Sequence, residues 1–68
     1  MIRQILTVRR MRAAVQAAGT MDFGQWLEMS YQVQKAAEKA GNSVLGTQLK
    51  GLYRDLMDMD VDGLEEVA

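Results

Sequence analysis

The sequence predicts an all-α fold, a small three-helix bundle or helical hairpin assembly that we expect to be oligomeric. Two observations lead to this prediction. Apolar residues recur at steps of three and four over most of the chain, which is the spacing of one face of an α-helix. Glycine and capping residues interrupt this pattern near 19–22 and 41–43, and proline is absent. We therefore expect helices near 2–18, 23–40 and 44–58.

The first predicted helix combines an apolar face with an unbalanced charge. Residues 1–21 contain four arginines and no acidic residue. Gly19 suits the position just after the helix end, because glycine tolerates the positive φ found there. The apolar face consists of Met1, Ile5, Val8, Met11, Val15 and Ala18.

The second predicted helix begins at a capping signal. Asp22 followed by Gln25 matches an aspartate-led capping box, in which the carboxylate accepts hydrogen bonds from the first turn. Trp26 is the only tryptophan and the largest candidate anchor on the apolar face. Leu27 and Tyr31 fall off that face. The face itself consists of Phe23, Trp26, Met29, Ser30, Val33, Ala37 and Ala40.

The third predicted helix follows Ser43, a typical N-cap residue, and has an apolar ridge with heptad spacing. The ridge consists of Leu45, Leu49, Leu52, Leu56 and Met59. It either completes the core of one chain alone, or does so and also joins two chains. The predicted core contains Ile5, Val8, Val15, Phe23, Trp26, Val33, Leu45, Leu49, Leu52 and Leu56. The predicted protein interface consists of Leu45, Leu49, Leu52, Tyr53, Leu56 and Tyr31.

A homodimer is expected because the chain is short and lacks cross-links. It has 68 residues, no cysteine and no histidine, so neither a disulfide nor an ordinary zinc site can stabilise it. Oligomerisation is one remaining source of stability. Absence of cysteine fits a reducing compartment, and no apolar run approaches membrane-spanning length, so we expect a cytoplasmic protein.

The charges divide the chain into a helical domain, residues 1–59, and an acidic tail, residues 60–68, that we expect to be frayed. Residues 54–68 contain one arginine and six carboxylates. The tail also resembles the first half of an EF-hand calcium loop, because Asp58, Asp60 and Asp62 alternate before a glycine. The bidentate glutamate at position twelve is missing, so no metal or cofactor is expected.

Catalysis is not expected either. Without histidine or cysteine, the serines and threonines lack the usual activating base, and no spacing predicts a pair of carboxylates held in a cleft.

Nucleic-acid binding is the alternative to protein binding. Residues 34–54 resemble a helix-turn-helix module in part, through Ala37 and Gly41, although polar residues occupy positions that are apolar in that module. The arginine-rich first helix is a second candidate. The acidic pI of about 5.2 weighs against both. The possible contacts are Arg3, Arg9, Arg10, Lys50 and Arg54.

The function that the sequence favours is a non-enzymatic protein-binding module, an inhibitor or adaptor that acts through an apolar helical surface. Six methionines in so short a chain are consistent with an adaptable binding surface, or with gap filling in the core. Small, all-helical chains without catalytic residues are typical of accessory proteins of phages and mobile elements, many of which bind a host protein.

Overall fold

The computed structural model describes residues 2–63. Three helices account for most of this range: α1 spans Ile2–Ala18, α2 spans Phe23–Ala40 and α3 spans Val44–Met57. These bounds agree with the predicted helices to within one residue, and the predicted small helical fold is confirmed.

Capping residues set the helix boundaries as the sequence predicts. The Asp22 carboxylate accepts hydrogen bonds from the backbone N–H groups of Gly24 and Gln25, at 3.0 and 3.4 Å. The Ser43 hydroxyl accepts one from the backbone N–H of Gly46 at 3.1 Å. Each of these bonds satisfies an N–H group that has no partner inside its helix.

Two short strands, which were not predicted from the sequence, connect the segment after α1 with the segment after α3. Strand β1, Thr20–Asp22, lies where we expected a turn, and β2, Asp60–Asp62, lies where we expected the tail to fray. They pair in parallel, with Met21 opposite Val61. The acidic tail therefore begins as an ordered strand, and its residues Glu65 and Glu66 lie outside the described range.

Helix α3 packs against both other helices, whereas α1 and α2 make hardly any contact with each other. The α2–α3 pair is antiparallel: the indole N–H of Trp26, near the start of α2, donates to the carbonyl of Leu56 at the end of α3, at 2.7 Å. Helices α1 and α3 run in the same direction, because the ends of both lead into the parallel strand pair.

The core lies along α3, and its buried apolar residues in the described part of the chain are Val8, Val15, Val33, Ala37, Leu49, Leu52 and Leu56. Six of these seven belong to the predicted core, and Ala37 is the addition. Four predicted core residues, Ile5, Phe23, Trp26 and Leu45, are only half-buried. For the three on α1 and α2 the reason is geometric: each of these helices has one neighbouring helix, so residues at the margins of its apolar face remain partly exposed. Leu45 lies in the first turn of α3, at the end of the helical stack.

Candidate functional site

An open apolar groove runs between α1 and α2, with α3 beneath it. It exists because both outer helices pack against α3 and hardly touch each other. Its volume is about 580 Å³. The lining residues are Met11 of α1, Met21 of β1, Leu49 of α3, and Gln25, Glu28, Met29, Gln32, Val33 and Ala36 of α2.

The groove has a rigid floor and adaptable walls. Val33 and Leu49 form the floor and are 4% and 7% exposed, so the core holds them in place. Three half-buried methionines, Met11, Met21 and Met29, pack against that core and line the walls. Methionine side chains are unbranched and polarisable, and surfaces rich in them adapt to ligands of different shape. The groove is therefore suited to binding an apolar surface.

The polar rim of the groove lies on α2 and, among the described residues, has one negative charge. Gln25, Glu28 and Gln32 follow one another at helical spacing along this rim. The Gln32 side-chain amide donates to the Glu28 carboxylate at 3.3 Å, which holds the carboxylate at the edge of the groove. A cationic group on an occupant would pair with Glu28 there.

A second apolar surface lies on the opposite flank of α2, where Leu27 and Tyr31 are 52% and 59% exposed. Lys35 covers one face of the Tyr31 ring, with its Nζ atom 5.4 Å from the ring centroid. These two residues, predicted from the sequence to lie off the main apolar face, do so.

The ridge on α3 is buried within one chain over most of its length. Leu52 and Leu56 are fully buried and Leu49 nearly so, which leaves them no surface for a partner. Leu45 and Tyr53 are half-buried, and Tyr31 is exposed on another helix. Of the predicted interface, only these last three side chains are accessible in part. For Leu49, Leu52 and Leu56, the ridge therefore forms the core of one chain.

The predicted nucleic-acid contacts are all exposed, and they are divided between two helices. Arg3, Arg9 and Arg10 lie on α1, whereas Lys50 and Arg54 lie on α3. The fold also differs from a helix-turn-helix, whose helices cross at about 90–120°. Here α2 and α3 are antiparallel and stay in contact along their lengths.

One arginine of α1 is already paired. The Arg12 Nε atom donates to the Asp55 carboxylate at 2.8 Å, and the Gln16 amide donates to the same oxygen at 3.2 Å. This is the one salt bridge among the described residues. It joins α1 to α3, so we assign Arg12 to the fold rather than to a ligand.

The calcium-loop pattern does not form a loop in the part that is described. Asp58 caps the end of α3, and Asp60 and Asp62 belong to β2. Extended backbone separates alternate carboxylates instead of gathering them around an ion. Between residues 2 and 63, no group of three candidate ligands could hold a metal.

No family model, curated protein or solved structure matches this chain. Within the described range, none of the helices combines the length and the apolar character needed to cross a bilayer.

The groove itself was not predicted from the sequence. Met11 and Met29 were placed on the apolar faces of their helices, and the six methionines were related to an adaptable binding surface, but helical periodicity does not say that α1 and α2 stand apart. The helical spacing of Gln25, Glu28, Met29 and Gln32 was an available signal, because it places a partly polar stripe along one side of α2.

Proposed function

We propose that this chain is a non-enzymatic protein-binding module that holds an amphipathic helix of a partner protein in the groove between α1 and α2. The observation that supports the proposal most directly is the combination of a buried floor with methionine walls, open along one side. Inhibition of the partner and adaptor activity are both consistent with such a contact. A cytoplasmic location remains part of the proposal.

The dimensions of the groove suit a helix. The α2 wall extends from Gln25 to Ala36, which at 1.5 Å per residue is about 16 Å, or three helical turns. Helices that bind in grooves use apolar anchors at positions i, i+3 or i+4, and i+7, and three turns accommodate such a set. The volume would also admit a small apolar ligand, because such sites span roughly 300–1,000 Å³. We favour a helix because the groove is open rather than enclosed.

The rim indicates the chemistry of the bound helix. Because Glu28 is the one charged residue that lines the groove within residues 2–63, we expect a lysine or arginine beside the apolar anchors of the partner helix. Such a rim contact contributes to orientation and to the association rate more than to affinity.

The test compares two methionine substitutions of the same chemistry. Met29→Lys places a charge in the groove wall, whereas Met57→Lys places the same charge at an exposed position on α3, outside the groove. Proteins captured from a lysate of the source cells are quantified by mass spectrometry for the wild type and both variants. We expect at least one protein to be captured by the wild type and Met57→Lys, and lost with Met29→Lys. Circular dichroism verifies that both variants are folded.

Methyl NMR then locates the contact. With ¹³C-labelled methionine methyl groups, addition of the captured partner should shift Met11, Met21 and Met29 and leave Met57 unchanged. Failure to capture any protein, equal capture by both variants, or shifts at Met57 alone would contradict the proposal. A shift of the same three methyl groups by small apolar compounds, without a protein partner, would assign the groove to a small ligand instead.

A further inference from the structure

We infer that the outer face of α1 binds the phosphate backbone of nucleic acid, through Arg3 and Arg10 on the side away from α3 and through Arg9 on the flank beside Gln48 of α3. This surface is separate from the groove, because α1 lines the groove with Met11, which lies on another side of the helix. All three arginines are exposed, and none of them forms a salt bridge with another described residue. Guanidinium groups are well suited to phosphate, because their planar donors match its oxygens.

The charge pattern of α1 differs from that of the other two helices. Helix α2 mixes Glu28 and Glu38 with Lys35 and Lys39, and α3 also contains both signs. Such mixing is typical of a helix surface that only needs to be solvated. Helix α1 has four arginines and no acidic residue, so no part of it would repel a polyanion.

The position of Arg3 is unfavourable for the helix itself. Arg3 lies in the first turn, close to the positive end of the helix dipole, where acidic residues are stabilising and basic ones are not. A residue that weakens the local structure without a compensating contact is expected at a functional site. A bound polyanion would place negative charge beside the start of α1 and so offset this unfavourable interaction.

The spacing of the face fits a nucleic-acid backbone. Arg3 and Arg10 are seven residues apart, which is about 10 Å along the helix and about three base steps at 3.4 Å each. Beyond them, Ala13 and Ala17 are exposed and small, so the helix can approach a phosphate strand closely.

An anionic membrane fits this face less well. A helix that lies in the interface needs a broad apolar side to insert. The apolar side of α1 is turned toward α3, where Val8 and Val15 are buried. Leu6, which is 48% exposed, is the one large apolar side chain identified on the outer face of α1 among the described side chains.

The experiment measures binding to a fluorescent random-sequence DNA duplex as a function of salt concentration. Each phosphate contact contributes about −0.9 to the slope of log K against log salt, so three arginines predict a slope of about −3. The triple variant Arg3→Gln, Arg9→Gln, Arg10→Gln should lose measurable binding. The matched control, Lys35→Gln, Lys39→Gln, Lys50→Gln, removes the same charge from α2 and α3. It should retain a slope close to that of the wild type.

A third variant, with all three arginines replaced by lysine, should keep the salt slope because the charges remain. The inference is overturned if the wild type does not bind duplex at low salt, or if both glutamine variants weaken binding equally. Equal weakening by both variants would mean that binding depends on the net charge of the protein and not on where the charges lie. Binding to anionic phospholipid vesicles but not to the duplex would also overturn it, and would assign the face to a membrane surface. Circular dichroism checks that each variant is folded.

Discussion

Two glycines of α3 occupy positions where a side chain would meet another part of the chain. A Cβ atom on Gly46 would overlap the carbonyl oxygen of Gly41, and one on Gly51 would lie 2.8 Å from a terminal nitrogen of Arg12. The structure shows two kinds of contact: the first neighbour is fixed backbone and the second is the end of a flexible side chain.

Alanine at these two positions should therefore have opposite effects. Replacing glycine by alanine inside a helix contributes roughly 1 kcal/mol of stability. For Gly51→Ala, where Arg12 can shift, we expect a change in unfolding free energy between zero and that gain. For Gly46→Ala, overpacking against backbone costs about 1–3 kcal/mol and should exceed the gain. Urea unfolding followed by circular dichroism measures both, and a Gly46→Ala variant as stable as the wild type would contradict this account of the α2–α3 turn.

At the scale of elements, the helices were predictable and the strands were not. Helix bounds follow from local chemistry: Asp22 and Ser43 cap two helices, and Gly19 and Gly41 adopt positive φ at two ends. Strand pairing instead joins segments that are far apart in sequence and only three residues long. The alternation Asp60-Val61-Asp62 was the available signal, but it is too short to distinguish a strand from an acidic tail.

The site was less predictable than the fold, for a related reason. Heptad spacing identified the apolar ridge of α3 correctly, but spacing cannot say which helix covers it. Two helices cover it here, so Leu52 and Leu56 are fully buried within one chain. The groove depends on how far α1 and α2 stand apart, and periodicity within a single helix contains no information on that separation.

The strand pair brings two like charges together. Asp22 lies directly opposite Asp62 in the parallel register, whereas Asp60 lies opposite the uncharged Thr20. Like charges in directly opposed positions are destabilising, and we take the size of a favourable cross-strand pair, roughly 0.2–1 kcal/mol, as the scale of the effect. Asp62→Asn should therefore stabilise the protein by an amount in that range, and Asp60→Asn should do so by less.

Thermal unfolding at low and high salt measures this effect. The stabilisation by Asp62→Asn should shrink as salt screens the exposed pair. Equal effects of the two substitutions, at every salt concentration, would mean that the opposed register does not matter.

At the scale of the whole molecule, homodimerisation stays a prediction, but its surface must differ from the α3 ridge. The accessible candidate is the flank of α2 that exposes Leu27 and Tyr31. A twofold contact through this flank would be self-complementary. Substitution of both residues by serine should shift the mass in solution from that of a dimer to that of one chain.

Light scattering behind size exclusion, at several protein concentrations, checks the prediction. Leu6→Ser, at a similarly exposed position on α1, is the control and should leave the mass unchanged. A wild-type mass near 7.6 kDa at every concentration would refute the dimer.

Leu52→Asp is expected to unfold the chain, because it places an unpaired charge in the core.

The dependence of α1 on α3 has a consequence for synthesis on the ribosome. Helix α1 is made before α3, yet it depends on α3 for its packing. Val8 and Val15 are buried against α3, and Arg12 pairs with Asp55 of α3. Asp55 follows Arg12 by 43 residues. The α2–α3 hairpin can fold from neighbouring sequence, whereas α1 must wait with its apolar face uncovered until α3 has been made. Of the three helices, the first to leave the ribosome is thus the last to dock, and the groove is completed only at that step.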